Sequence, residues 1–408
     1  MMILIKNEMI KLFRRKKTYI VLIAFILLTA AICYGSFKMD ENRKKYNNPE
    51  FKIKNLQESL NYMKRDKENV PQSIKDDANA LEQYNKNIDA NIERTENEIN
   101  ALKDAIASGS KEIDWKVQLK NEISAGEEQL KNSNIPDRYK AQQKLELSKK
   151  NYLLNNDIKP ADEEFNGFNF VITLIRQLGS IFLAVGVIVF STDIVSGECT
   201  PPTLKFLLIQ PVSRTKVLLS KFISVVISAI VLIISVELLF MVIVGLWKGF
   251  GNANYPMFVD TLYQFDLSKV EGSGVHPLIQ VAGSTHIITI SQYLIRMFLL
   301  QILYIIACTS FAFLISSLFK SSMVSMGLSI VAVIALTVLV QGIPGLLKAA
   351  PFMFTSYGEI TPLIDGTAAL TFQNPSITYT FGITVLIIWS AACYLISHFV
   401  FNKKDILI

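Results

Sequence analysis

Six apolar runs set the limits on what this chain can fold into. They lie at about 18–37, 168–190, 222–247, 288–319, 323–340 and 377–401. A helix of about 20 apolar residues crosses the ~30 Å hydrocarbon core of a bilayer, and in lipid a crossing segment must satisfy every backbone group internally. The fold class implied is an all-α polytopic membrane protein with six transmembrane helices. Only 19% of the 408 residues are charged, and the basic ones cluster beside the apolar runs. The formal net charge of +6 therefore marks contact with membrane lipid and argues against a nucleic-acid partner.

Residues 1–17 place Lys6, Lys11, Arg14, Arg15, Lys16 and Lys17 among Ile3, Leu4, Ile5, Met9, Ile10, Leu12 and Phe13. At helical spacing this is an amphipathic helix suited to the bilayer surface. The first apolar run, 18–37, follows at once. It is longer than the core of a secretory signal, and no small-x-small site closes it, so it reads as a retained anchor. Cys33, Cys199, Cys308 and Cys393 avoid the long polar segments, which gives no disulfide framework. His276, His286 and His398 are far apart and lack metal-ligand spacing.

Residues 38–165 hold 23 basic and 25 acidic residues, a near balance that suits a solvated surface. Leu81, Tyr84, Ile88, Ile92, Ile99, Leu102 and Ile106 recur at heptad-like spacing, with breaks at Pro71, Ser108-Gly109-Ser110 and Ile135-Pro136. The pattern predicts three or four long helices, one over about 72–107, folded into a helical hairpin or coiled-coil domain. A spacer or dimer-forming stalk fits this composition better than a surface receiving a ligand or an exported molecule. Residues 248–287 are polar and read as a loop with some short structure. Residues 341–377 are punctuated by Gly342, Pro344, Gly345, Pro351, Pro362, Gly366 and Pro375. They are too apolar for a free loop, which predicts interfacial or re-entrant half-helices.

Six spans leave both ends on one side. That side collects the N-terminal basic residues, then Lys205, Arg214, Lys216, Lys221, Lys320, Lys403 and Lys404, against Lys248, Lys269 and Lys348 in the short loops opposite. Cytoplasmic loops carry the Lys/Arg excess, whereas long domains translocate largely regardless of charge. The expectation is a multi-pass protein of the cell membrane with both termini cytoplasmic and 38–165 extracellular, followed by a transmembrane domain over 166–408.

The chain has no phosphate-binding loop of the G-x-x-x-x-G-K-[ST] type, no H-E-x-x-H and no G-x-S-x-G, so it lacks an ATPase motif and a recognisable catalytic centre. Neither a catalytic, a cofactor-binding nor a metal site is expected. Arg176, Glu237 and Arg296 stand inside apolar runs, where charge is expensive and turns toward partners or water. Their similar depth predicts that Glu237 pairs with Arg176 or Arg296, within one subunit or across a dimer, as a static packing bridge. Ser325, Gly327, Ser329 and Ala332 would let the fifth span approach a neighbour closely.

The loop 191–221 is the most informative segment. It reads Ser196-Gly197-Glu198, then Thr203, Leu204, Leu207, Leu208, Pro211, Ser213 and Arg214, and ends at Lys221. Pro201, Pro202 and Pro211 bracket a short amphipathic helix. With Asn7-Glu8, Lys11 and the basic run to Lys17, this order resembles the permease subunits of type-2 ABC transporters. The resemblance covers the six spans and hardly touches 38–165. It departs at Pro202, where the family usually has Gly, a change compatible with a helix start. The resemblance implies that the loop is a coupling helix docked on a separate ABC ATPase, which would hold the ATP and Mg. Glu198 and the helix from Thr203 to Gln210 would face that subunit, and Arg214 would anchor the helix end. It also implies a homodimer, or a heterodimer with a related permease, that exports a lipid, a hydrophobic drug or an antimicrobial peptide. In such an exporter the external domain would cap the exit, bind a partner or sense an antimicrobial compound. Two other readings stand beside it: a membrane-anchored sensor or a mechanotransducing subunit, each with the external coiled coil as its working part.

Overall fold

A computed structural model describes residues 1–70, 78–107, 115–131, 137–161, 164–198, 213–270 and 276–403. Helix α1 (Met2–Phe13) buries Glu8 and Leu12. Helix α2 (Lys16–Asn47) contains the first apolar run and continues well past it. Asn48 ends it and caps the next helix, α3 (Pro49–Glu68), by accepting the Glu50 amide at 2.9 Å. The following Pro49 at the first helical position needs no amide partner.

Among the described residues, the polar segment holds two helix pairs. Helix α3 packs along α4 (Ala78–Ala107), with Lys64–Glu96 at 2.7 Å and Lys67–Asp89 as ion pairs between them. Helix α5 (Trp115–Lys131) packs along α6 (Asp137–Asn155). Their seam buries Leu119, Ile123 and Leu147. Gly126 lies in this seam, where a Cβ would come within 2.7 Å of the Leu147 side chain, so glycine permits the close approach. The helix expected over 72–107 is described from Ala78 onward. The breaks placed at Pro71, 108–110 and 135–136 lie outside the described residues.

The remaining long helices are α7 (Gly167–Ser191), α8 (Arg214–Lys248), α9 (Ile290–Leu318), α10 (Ser322–Gly342) and α13 (Tyr379–Lys403). With α2 they give six helices long and apolar enough to cross a membrane among the described residues. Asn166, Thr289 and Ser321 cap α7, α9 and α10 through side-chain oxygens, as short polar residues do at helix starts. Thr289 and Gln292 form a reciprocal capping box. Helix α9 is the hub, packing on α7, α8, α10 and α13, with Tyr293, Met297, Tyr304, Cys308 and Phe313 fully buried. Helix α2 lies at the edge: its most apolar stretch is 6% buried, against 61% for that of α9.

Helix α7 is broken at Gly179, where φ is +52° and ψ −166°. An L side chain rarely adopts that conformation, so the glycine lets two helical halves meet at an angle.

The polar segment after α8 carries short structure within its loop, two small strand pairs in an otherwise helical fold. Strand β1 (Pro256–Val259) pairs antiparallel with β4 (His286–Thr289), and β2 (Tyr263–Phe265) with β3 (Leu278–Gln280). Aromatic and β-branched residues at these positions favour extended pairing over helix. Between α10 and α13 the chain makes 3-10 turns at Pro344–Phe352 and Phe354–Tyr357, then α11 (Ile360–Asp365) and α12 (Ala368–Thr371). Phe354, Tyr357, Leu363 and Ile364 are fully buried, which explains why this stretch is too apolar for a free loop. The Tyr357 hydroxyl donates to the Pro351 carbonyl at 2.6 Å, and the Trp389 indole to that of Phe352 at 2.7 Å. These bonds satisfy carbonyls that the irregular backbone leaves open.

Candidate functional site

The loop singled out by sequence is rooted in a buried cluster of charge. The chain leaves α7 through a 3-10 turn, Ser196–Glu198, and beyond 199–212, which lie outside the described residues, α8 starts at Arg214. Two turns into α8, Lys221 is fully buried. Its ammonium lies 3.0 Å from each carboxylate oxygen of Glu8 and 2.7 Å from Oε1 of Glu198. Lys11 donates to the same Glu198 oxygen. Glu198 is 1% exposed and Glu8 8%. Two cations and two carboxylates thus form a neutral group. A charge this far from water is tolerated only when paired and hydrogen-bonded.

Helix α1 supplies half of that cluster, and its spacing explains how. Glu8 and Lys11 are three residues apart and share a face. The same face turns the Ile5 carbonyl to the Ser224 hydroxyl, 3.1 Å away. Arg15 and Lys17, at the start of α2, reach Asp193 at 3.3 and 3.2 Å. The amphipathic start of the chain is therefore bolted to the ends of α7 and α8.

A second set of bonds ties the turn to α9 and α10. The Ser316 hydroxyl accepts the Ser196 amide at 3.0 Å and the Val195 amide at 3.3 Å. The Ser196 and Ser325 hydroxyls lie 3.0 Å apart, and Ser325 also donates to the Thr192 carbonyl at 3.2 Å. The short link between α9 and α10 places Ser316 and Ser325 on either side of the Ser-Gly-Glu turn. Small hydroxylated residues let the helix ends approach while pairing their polar atoms. Chemically, the junction holds paired charge and joins the ends of several helices. Among the described residues, no group of three or more His, Cys, Asp or Glu side chains is placed to hold a metal ion.

Of the residues singled out by sequence, Glu198 sits at the centre of the cluster. Thr203, Leu204, Leu207, Leu208 and Pro211 lie outside the described residues. Ser213 precedes α8 and Arg214 opens it; both are exposed, and Lys221 rather than Arg214 joins Glu198. Lys221 and Glu8 belong to the sequence pattern without an evident role there. One signal was present: Glu8 is the sole acidic residue of 1–17, and Lys221 interrupts an apolar run. Asp193 and Ser316 carry no sequence signal that separates them from other polar residues at helix ends.

The expected pairing of Glu237 with Arg176 or Arg296 is not formed within the chain. Glu237 is fully buried and accepts a hydrogen bond from the Gln301 amide at 2.7 Å. Arg296 turns to Asp260 at 2.7 Å and lies over the Tyr379 ring. Arg176 is exposed and donates to the Thr361 hydroxyl at 3.3 Å. The three side chains stand on different helices and turn to different neighbours.

Near Arg176, the Asp365 carboxylate accepts the Tyr293 hydroxyl at 2.8 Å. Burial pushes its pKa up to about 6, while the Tyr293 bond and the Arg176 charge act to lower it. Asp365 closes α11, and Gly366 follows at φ +88°. A Cβ on Gly366 would stand 1.9 Å from the Thr261 carbonyl oxygen.

Comparison with known proteins completes the picture. A family model described as ABC-2 family transporter protein matches residues 2–406. A similar chain is the uncharacterized protein YhcI of Bacillus subtilis (strain 168), 24% identical over 311 residues, which cover 75% of this chain and 88% of that protein.

Proposed function

The chain belongs to the ABC-2 transporter family as a multi-pass membrane component, and from that premise we propose that it is the permease subunit of an exporter driven by a separate ABC ATPase. In this reading the ATPase docks from the cytoplasm on 199–212, with exposed Arg214 at the margin of that segment and buried Glu198 anchoring it from within. Thr203, Leu204, Leu207, Leu208, Pro211 and Ser213 complete the contact. ATP and Mg belong to the partner, and this chain takes up the force. Two permease subunits, identical or related, enclose the path, both termini lie in the cytoplasm, and 38–165 stands outside as a helical domain.

The observation that carries this reading is the buried cluster of Lys221, Glu198, Glu8 and Lys11. It lies at the root of the docking segment, and its partners connect α1, α7 and α8, with the serine contacts extending to α9 and α10. A push on 199–212 is thereby delivered to five helices together rather than to one loop. The substrate is a hydrophobic or amphipathic compound, such as a lipid, a drug or an antimicrobial peptide. An apolar cleft of about 250 Å³ between α2, α7 and α8, walled by Phe25, Leu28, Phe182, Val187 and Leu232, suits such a compound.

Co-purification tests the coupling. The detergent-solubilised protein, expressed with a candidate ATPase, is expected to bring that ATPase down, and Leu207→Asp with Leu208→Asp to release it. Retained transport with no associated ATPase would overturn the reading.

A further inference from the structure

The basic residues of 1–17 divide into two groups. Lys11, Arg15 and Lys17 are held by Glu198 and Asp193. Lys6 and Arg14 are exposed and have no ion-pair partner among the described residues. Both stand at a cleft of about 740 Å³ walled by Met2, Ile5, Met9 and Phe13 of α1, Tyr19 of α2 and Ile227 of α8. Ile227 is six residues beyond Lys221 along α8, roughly 9 Å deeper at 1.5 Å per residue. The cleft therefore reaches from the two cations of α1 to the apolar part of a crossing helix.

We propose that this cleft holds one anionic phospholipid, its phosphate between Lys6 and Arg14 and its upper acyl carbons against Phe13, Tyr19 and Ile227. The charge complement and the apolar wall together select the occupant. A zwitterionic lipid brings no net charge to the two cations. A free phosphate leaves the apolar wall uncovered. Helix α1 then has two attachments on different faces: Glu8 and Lys11 to protein, Lys6 and Arg14 to lipid. The lipid steadies the helix that supplies half of the buried cluster. This inference rests on the multi-pass character of the chain and not on ATPase docking.

The full-length protein is reconstituted in nanodiscs of phosphatidylcholine with a minority of phosphatidylglycerol, transferred to mild detergent, and its retained lipid weighed by native mass spectrometry. Wild type is expected to keep phosphatidylglycerol in preference to phosphatidylcholine. Lys6→Ala and Arg14→Ala should each weaken retention roughly fivefold, the worth of one basic side chain at an anionic surface, and the double variant should lose the preference. Lys6→Arg with Arg14→Lys should keep it, as should Lys16→Ala, which removes an exposed cation that does not line the cleft. Equal retention of both lipids by wild type would overturn the proposal. So would a loss in Lys16→Ala as large as in Lys6→Ala, which would mean a diffuse surface charge, or displacement of the lipid by inorganic phosphate alone. The variants' thermal unfolding is followed in parallel; if the double variant unfolds early, Lys6→Gln with Arg14→Gln replaces it and must show the same loss.

Discussion

Lys221 has no contact with water, and Glu8 and Glu198 face its ammonium. Removing the ammonium would leave two carboxylates buried against each other, with Lys11 as their nearest cation. Lys221→Met is expected to cost about 3–5 kcal/mol, the penalty of breaking a buried pair by one partner. Adding Glu8→Gln and Glu198→Gln should recover most of that loss. Thermal unfolding of the solubilised variants measures both, and an unchanged midpoint in Lys221→Met would contradict the buried cluster. Asp365 gives a prediction of opposite sign. Its folded pKa, about 6, lies above the ordinary 3.8, so the folded state holds the proton more tightly than the unfolded chain. The resulting stabilisation is fully present below pH ~4 and is lost as pH rises through ~6, a change of about 3 kcal/mol. Asp365→Asn should flatten that part of the stability profile.

At the level of elements, Gly366 is the most constrained turn. Its positive φ and the Thr261 carbonyl at 1.9 Å from a would-be Cβ leave no room for alanine. Gly366→Ala is expected to lose at least about 1–2 kcal/mol from the backbone alone, read as a lowered yield of folded protein and an earlier unfolding midpoint. This turn also marks where sequence reasoning reached its limit. The six long helices are legible because each apolar run is set by composition and length, which depend on near neighbours in the chain. The glycine and proline punctuation of 341–377 announced irregular structure there, and Asn48-Pro49 shows how a helix start is written in two residues. The strand pairs at 256–289 were not legible, because three- and four-residue strands have too little periodicity to separate from a loop. The within-chain partner of Glu237 was not legible for a related reason: position along a helix gives depth, but the neighbour a side chain meets is fixed by how helices rotate against each other. Gln301 is uncharged, so nothing in its residue type marked it as the partner.

For the whole molecule, the proposed topology, argued from charge bias, has both ends in the cytoplasm and the α3–α6 helices outside. Tyr62→Cys, at an exposed position of α3, should react with a membrane-impermeant maleimide in intact cells, and Lys6→Cys only after lysis. The reverse pattern would invert the topology. The contact between Glu8 and Lys221 spans 213 positions of the chain, and this has a consequence for biogenesis. A chain inserted from its N-terminus presents α1 and α2 to the bilayer long before α8 has been synthesised. During that interval Glu8 has no buried ammonium to meet. Closing of the cluster is thus a late event, and it reports that the first, second and third crossings have all arrived in their places. A truncated product ending before residue 221 would lack that closure and leave Glu8, the acidic side chain of an otherwise basic helix, without the ammonium it pairs with.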